Sequence, residues 1–227
     1  MNNYNIHNTA LLEGDIQLGN NVTIGAFTYI KGPVIIEDNV KIGVRCIIGT
    51  PAEHNKRPSH GSVKIGEGTQ FTDGVIVHKG TNTIQTTIGK NCYIMNQCYI
   101  AHDCIIDDNV VLSAQVSLAG NVKLHKGANL GMGVQVHQFV TIGAYAMVGM
   151  ACPVTCDIPP FVKAFGNPVR IHGINIYPLH YFNILPIDVV LKNGAVTFKG
   201  FNYDFDLLHT NFLATSQRAK AKMFTTK

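Results

Sequence analysis

An aliphatic residue recurs every six positions in this sequence, at Ile6, Leu12, Leu18, Ile24, Ile30, Ile36, Ile42 and Ile48. Four positions after each stands a small or β-branched residue, from Ala10, Ile16 and Val22 to Cys46 and Ala52. The pattern breaks over Thr50–Ser62, restarts at Ile65 and Phe71, breaks again over 79–87, and then runs from Ile88 to Val154. A period of six matches neither the 3.6 of a helix nor the alternation of two in a long strand. It suits a coil in which each hexapeptide makes one short strand and one corner, three of them closing a triangular turn. A residue then returns to the same face every eighteen positions, and stacked coils satisfy their backbone by parallel pairing at a spacing of about 4.8 Å. A helix with an apolar stripe is the competing reading. Gly at the corners (Gly19, Gly25, Gly43, Gly49) and β-branched residues throughout argue against it. The expectation is an all-β chain: a left-handed parallel β-helix of hexapeptide repeats over residues 1–163, with loops at 50–62 and 79–87. A short, partly helical C-terminal extension covers 164–227.

The same frame accounts for the cysteines. Five of the six, Cys46, Cys92, Cys98, Cys104 and Cys152, occupy the small interior position. Their spacing belongs to the repeat, so they read as small apolar core residues and not as a zinc site or a disulfide framework. No metal is expected. The repeat is expected to end at Cys156–Pro160, because two prolines cannot continue a ladder. Beyond Ala164, residues 204–222 could form an amphipathic helix capped by Asp204, with Phe205, Leu208 and Phe212 on one face.

The formal net charge of +4 comes without a Lys/Arg-rich block, which makes a nucleic-acid partner a poor fit. No long apolar run suggests a membrane span, and the N-terminus lacks a signal-peptide layout, so a cytoplasmic protein is expected. Anionic small molecules or an acidic carrier protein remain suitable electrostatic partners.

In a regular solenoid, function concentrates where the repeat is interrupted or turned outward. The first break, Glu53 to Gly61, is polar and basic and includes Lys56; it reads equally as a solvated loop or an anion-binding one. His102 lies two positions after Ile100 and should face outward at a corner. Gly120 and Gln138 follow at intervals of eighteen, so the three should line one edge on successive coils. His102 could take a proton from an attacking hydroxyl near neutral pH. The unobstructed N–H of Gly120 could stabilise an oxyanion as a thioester carbonyl becomes tetrahedral. His78 falls near the same face one coil earlier if the five-residue insertion loops out. Taken alone, an outward His on a solenoid is more often plain surface, and the stacking raises its standing only modestly.

Longer strings carry more information. Val77-His78-Lys79-Gly80-Thr81, the run Ile94 to Cys104 with Ile-Ala-His-Asp at its centre, and Ser117-Leu118-Ala119-Gly120 resemble the UDP-N-acetylglucosamine acyltransferases of lipid A biosynthesis. So do Val136-His137-Gln138-Phe139 and Gly166-Asn167-Pro168 leading to Gly173-Ile174-Asn175. The resemblance covers roughly residues 5–176. It implies His102 as catalytic base, Asp103 as its polarising partner and Gly120 as the oxyanion N–H. His137, Gln138 and Asn175 would line the sugar or acyl pocket with His78 nearby, and Lys56 and Arg170 join that substrate-binding set. It further implies a homotrimer with active sites between subunits, a sugar nucleotide acceptor, and an acyl thioester as co-substrate with no tightly bound cofactor. Acyl carrier protein is favoured over acyl-CoA as the donor.

The sequence also departs from the family pattern. Tyr99 and Asn121 stand where histidines are usual, and Tyr177 and Tyr181 where an acidic and a basic residue are common. Three other readings stay open: an acyl-CoA-dependent N- or O-acyltransferase acting on a nucleotide-linked amino sugar, a metal-dependent hydratase on the same fold, and a non-catalytic trimeric scaffold.

Overall fold

A computed structural model describes residues 4–82, 84–184, 189–192, 195–198, 212–214 and 222–223. Over the coils it is the expected left-handed parallel β-helix, with three faces built from strands of two to four residues. The first face runs through Thr23–Ile24, Lys41–Ile42, Gln70–Phe71, Tyr93–Ile94 and Val111–Leu112; the second through Tyr29–Lys31, Ile47–Thr50, Ile76–His78, Tyr99–Ile100 and Ser117–Leu118. The third includes Val34–Ile36, Ser62–Ile65, Gln85–Ile88, Ile105–Ile106 and Lys123–Leu124. Pairing is parallel and in register between coils: Ile94 lies beside Leu112, and Leu112 beside Leu130.

Both members of the repeat point inward. Ile24, Ile94, Leu112 and Leu130 are buried, as are Val22, Val110 and Ala128 from the second position. The third residue past most of the aliphatic ones turns the corner with positive φ, at Asn21, Asn39, Asn91, Asn109 and Asn121 among others. Asn tolerates this left-handed conformation better than most residues, which is why it recurs there. Cys46, Cys92, Cys98, Cys104 and Cys152 are buried free thiols. Burial pushes Cys92 and Cys98 up to about 11 and Cys104 up to about 12, so these thiols stay protonated core residues.

The stack closes just after the two prolines. Each coil's first corner N–H donates to the next coil, as Gly143 N–H does to the Ile158 carbonyl at 2.7 Å. Pro159 and Pro160 fall at the corner where no further coil follows, so their missing N–H groups cost nothing. The first face nevertheless gains one more parallel strand, Val162–Phe165 against Met147–Val148, before Arg170–Ile174 returns antiparallel. A 3₁₀ helix, Tyr177–Phe182, then folds back so that Leu179 and Ile184 pack with Phe161. Of the helix expected over 204–222, residues 212–214 are helical with Phe212 buried, whereas Lys222–Met223 is a strand beside Arg170–Ile171. Asp204, Phe205 and Leu208 lie outside the described residues.

The two interruptions leave from the same corner, between the second and third faces. The first connects Ile47–Thr50 to Ser62–Ile65 and the second connects Ile76–His78 to Gln85–Ile88. The second is shorter than the break in the period, because Gln85–Ile88 pairs fully with Ser62–Ile65. His102, between Tyr99–Ile100 and Ile105–Ile106, stands at that corner one coil further on.

Candidate active site

Asp103 anchors the site. It is the left-handed corner residue, φ 61°, and its carboxylate turns inward until only 1% of the side chain is exposed. A buried carboxylate needs donors. Thr81 supplies two from the second insertion: its N–H to Oδ1 at 2.7 Å and its hydroxyl to Oδ2 at 2.7 Å. Thr86 holds the Asp103 main chain through its own hydroxyl, which accepts the Asp103 N–H at 3.0 Å. The third donor to the carboxylate is His102, whose Nδ1 lies 2.9 Å from Oδ2.

That bond sets the chemistry of the imidazole. An ionised carboxylate only accepts, so Nδ1 carries the proton and Nε2 presents a lone pair. The ring packs against Gly120 of the next coil. A Cβ built on Gly120 would fall 2.5 Å from His102 Cε1 and 2.7 Å from Nε2, so no side chain fits between the two.

The Gly120 N–H is open for a different reason. At some corners between the third and first faces, an Asp one coil on accepts the N–H at this position: Asn20 donates to Asp38 at 2.6 Å and Lys90 to Asp108 at 2.7 Å. At Gly120 the corresponding residue is Gln138, and the Gly120 N–H makes no hydrogen bond among the described residues. A lone-pair nitrogen and an unused backbone donor therefore occupy one edge on adjacent coils. That pair can deprotonate a nucleophile and stabilise an oxyanion.

The first insertion closes over this edge. The ring of His54 meets that of His102 edge-on, with centroids 5.6 Å apart. Tyr99 donates its hydroxyl to Glu53 Oε2 at 2.9 Å and packs against the ring of His78 at 5.3 Å. Burial first, and then the Glu53 carboxylate, hold the Tyr99 phenol well above its ordinary range. His78 is buried and its Nδ1–H donates to the Pro51 carbonyl at 2.8 Å, which ties the start of the same loop.

The remaining candidates are spread more widely. His137 and Gln138 are exposed on the coil beyond Gly120, His137 Nδ1 lying 3.2 Å from the Gln138 carbonyl oxygen. Lys56 is exposed at the tip of the first insertion. Arg170 starts the antiparallel strand at the far end of the stack and donates to the Val169 carbonyl at 3.0 Å. Asn175 lies at the corner between the third and first faces, away from His102. Its side-chain amide donates to the Tyr145 carbonyl at 2.8 Å. There it lines a cavity of about 550 Å³ with Asn129, Tyr145, Tyr177, Tyr181 and Phe182. Within one chain, the residues expected to share a pocket thus occupy two edges. Among the described residues, no three His, Cys, Asp or Glu side chains converge as a metal site would require. His125 pairs instead with Asp107 at 3.0 Å on a separate corner.

Thr81, Thr86, Glu53 and His54 are absent from the set expected from the sequence. A signal for them exists: both interruptions follow second-face strands, the same strand position that precedes His102 one coil later.

Comparison with known proteins bears on this geometry. The chain matches the bacterial transferase hexapeptide (six repeats) family over residues 15–50 and 85–120. It is 32% identical over 197 residues to an acyl-(acyl-carrier-protein)–UDP-N-acetylglucosamine O-acyltransferase of Bartonella henselae, covering 78% of this chain and 72% of the relative. It is 43% identical over 191 residues to the protein of the same name from Chlamydia abortus, covering 75% and 68%. Among solved structures, the UDP-N-acetylglucosamine O-acyltransferase of Moraxella catarrhalis superposes with a TM-score of 0.71 at 25% identity, over 96% of this chain and 99% of that one.

Proposed function

Because this chain belongs to the UDP-N-acetylglucosamine O-acyltransferase family, we propose that it moves a 3-hydroxyacyl group from acyl carrier protein to a hydroxyl of UDP-N-acetylglucosamine. The observation that carries the mechanism is the His102 ring, fixed by Asp103 through Nδ1, with Nε2 free beside an unused Gly120 N–H. His102 Nε2 takes the proton of the sugar hydroxyl as its oxygen attacks the thioester carbonyl. The Gly120 N–H stabilises the oxyanion that forms. Collapse breaks the carbon–sulfur bond, and the imidazolium returns its proton to the departing thiolate. Asp103 stays ionised and balances the transient imidazolium.

The two-edge arrangement supports a homotrimer with its sites between subunits. His102 and Gly120 line one corner and Asn175 another, so a pocket containing all three forms where the corner of one copy meets a different corner of its neighbour. His78, His137, Gln138, Lys56 and Arg170 are assigned to substrate contacts in that pocket. No helix among the described residues is long and apolar enough to cross a membrane, and we place the protein in the cytoplasm.

The test is a donor and acceptor matrix: acyl carrier protein and CoA thioesters of several chain lengths, each with UDP-N-acetylglucosamine and a nucleotide-linked amino sugar, with products identified by mass spectrometry. An O-acylated UDP-N-acetylglucosamine formed from the carrier-protein donor is the expected product. N-acylation from CoA donors alone would favour instead the acyl-CoA-dependent acyltransferase acting on a nucleotide-linked amino sugar.

A further inference from the structure

We propose that Thr81 is a positioning residue, which acts through Asp103 to hold His102 in one tautomer and one orientation. The Asp103 carboxylate is nearly inaccessible to water, so its orientation is set by its protein donors. Two of the three come from Thr81, which is itself fully buried. They act differently. The Thr81 N–H fixes Oδ1, whereas its hydroxyl binds Oδ2, the same oxygen that accepts from His102 Nδ1. The hydroxyl therefore fixes where the lone pairs of Oδ2 point, and the remaining direction is filled by the imidazole.

The surrounding loop does not depend on that hydroxyl. Main-chain bonds hold it on both sides: Lys79 N–H to Thr50 O at 3.0 Å, Gly80 N–H to Ser62 O at 3.3 Å, and Asn82 N–H to Pro58 O at 2.8 Å. Ile84 N–H to Thr81 O at 2.9 Å closes the turn. Gly61 lets the two insertions touch, its N–H donating to the Gly80 carbonyl at 3.1 Å, since a Cβ there would run into the Ile84 carbonyl oxygen; Gly80 lets the second insertion close on itself against that same oxygen. Among the described residues of the second insertion, the side-chain hydrogen bond to the catalytic pair is that of the Thr81 hydroxyl.

Thr81→Val keeps the shape and the backbone N–H and removes only the Oδ2 bond; Thr81→Ser keeps the hydroxyl. The experiment records the ring-nitrogen spectrum of ¹⁵N-histidine-labelled protein together with kcat and KM for thiol release. Wild type and Thr81→Ser should show His102 as a single Nδ1–H tautomer with a slowly exchanging bridging proton. Thr81→Val should show mixed tautomers and fast exchange, with kcat lowered about 10- to 100-fold and KM little changed, as is typical when an outer partner of an active group is lost. Wild-type tautomer and exchange in Thr81→Val would overturn the proposal. So would a lowered melting temperature with an unchanged ring spectrum, or a Thr81→Ser protein as impaired as Thr81→Val. The kinetic arm rests on the acyl-transfer reading. If wild type turns over no thioester, that reading fails while the ring spectra still decide the role of Thr81.

Discussion

Gly120→Ala isolates the packing of the base. The added methyl would lie 2.5 Å from His102 Cε1 and 2.7 Å from Nε2. Non-bonded carbon atoms settle at about 3.5–4.0 Å, so the ring must move by roughly 1 Å or more. The 2.9 Å bond between Nδ1 and Asp103 cannot survive that movement. Misplacing a reacting group by about 1 Å can cost around 100-fold in rate, or about 2.7 kcal/mol of barrier. Stability should respond less. A hydrogen bond to a charged group is worth about 1.5–3 kcal/mol, and Gly→Ala at an accessible backbone conformation returns about 0.4–1 kcal/mol through the unfolded chain. The net loss is on the order of 1–2 kcal/mol.

Gly131→Ala is the control. There the methyl would meet main-chain atoms of the next coil, Met150 N at 2.7 Å and Gly149 C at 3.0 Å, which cannot rotate away. Gly131→Ala should therefore lose more stability in urea titration while its folded fraction keeps wild-type kcat. Gly120→Ala keeps its N–H, so its loss of kcat reports the displaced ring and not a missing oxyanion donor. Wild-type kcat in Gly120→Ala, or a structure of the variant with His102 unmoved, would refute the reasoning.

Two further outcomes follow from the contacts around the site and in the core. Tyr99→Phe removes the donor that ties Glu53 to the coil, at about 1 kcal/mol or less; amide exchange over residues 51–60 should quicken, and unchanged exchange would deny the loop this anchor. Burial raises Cys92, Cys98 and Cys104, so the fold favours the neutral thiol. The unfolded thiols ionise from about pH 8.5, and above that point each group lowers stability by about 1.4 kcal/mol per pH unit until its folded value is reached. The stabilisation is thus complete below pH ~8.5 and fades upward towards pH ~11–12. Urea unfolding at pH 7.5 and 10 should show this loss, and Cys92→Ala with Cys98→Ala should flatten it; an unchanged slope would contradict the assignment.

How far the sequence could be read depended on what its period encodes. Six-residue spacing assigns every coil residue to a face and every eighteenth to the same corner, which is why the sequence alone aligns His102, Gly120 and Gln138. The same spacing put five cysteines in the interior, where they are found. It is silent on what an insertion touches. Thr81 reaches Asp103 and Glu53 reaches Tyr99 only because both interruptions leave one corner and fold back over it. Nor does the period extend to Asn175, which follows an antiparallel return and lies at another edge because the Tyr177–Phe182 turn packs on Phe161. The family resemblance supplied roles for these residues, whereas their division between two edges is a property of the fold.

The most direct test is thiol release from 3-hydroxyacyl carrier protein with UDP-N-acetylglucosamine, comparing wild type with His102→Ala. Wild type should turn over robustly, and kcat should fall about 10²–10⁴-fold in the variant with the fold intact. Equal turnover in the two proteins would contradict His102 as the base, and no turnover in wild type would contradict the reaction itself.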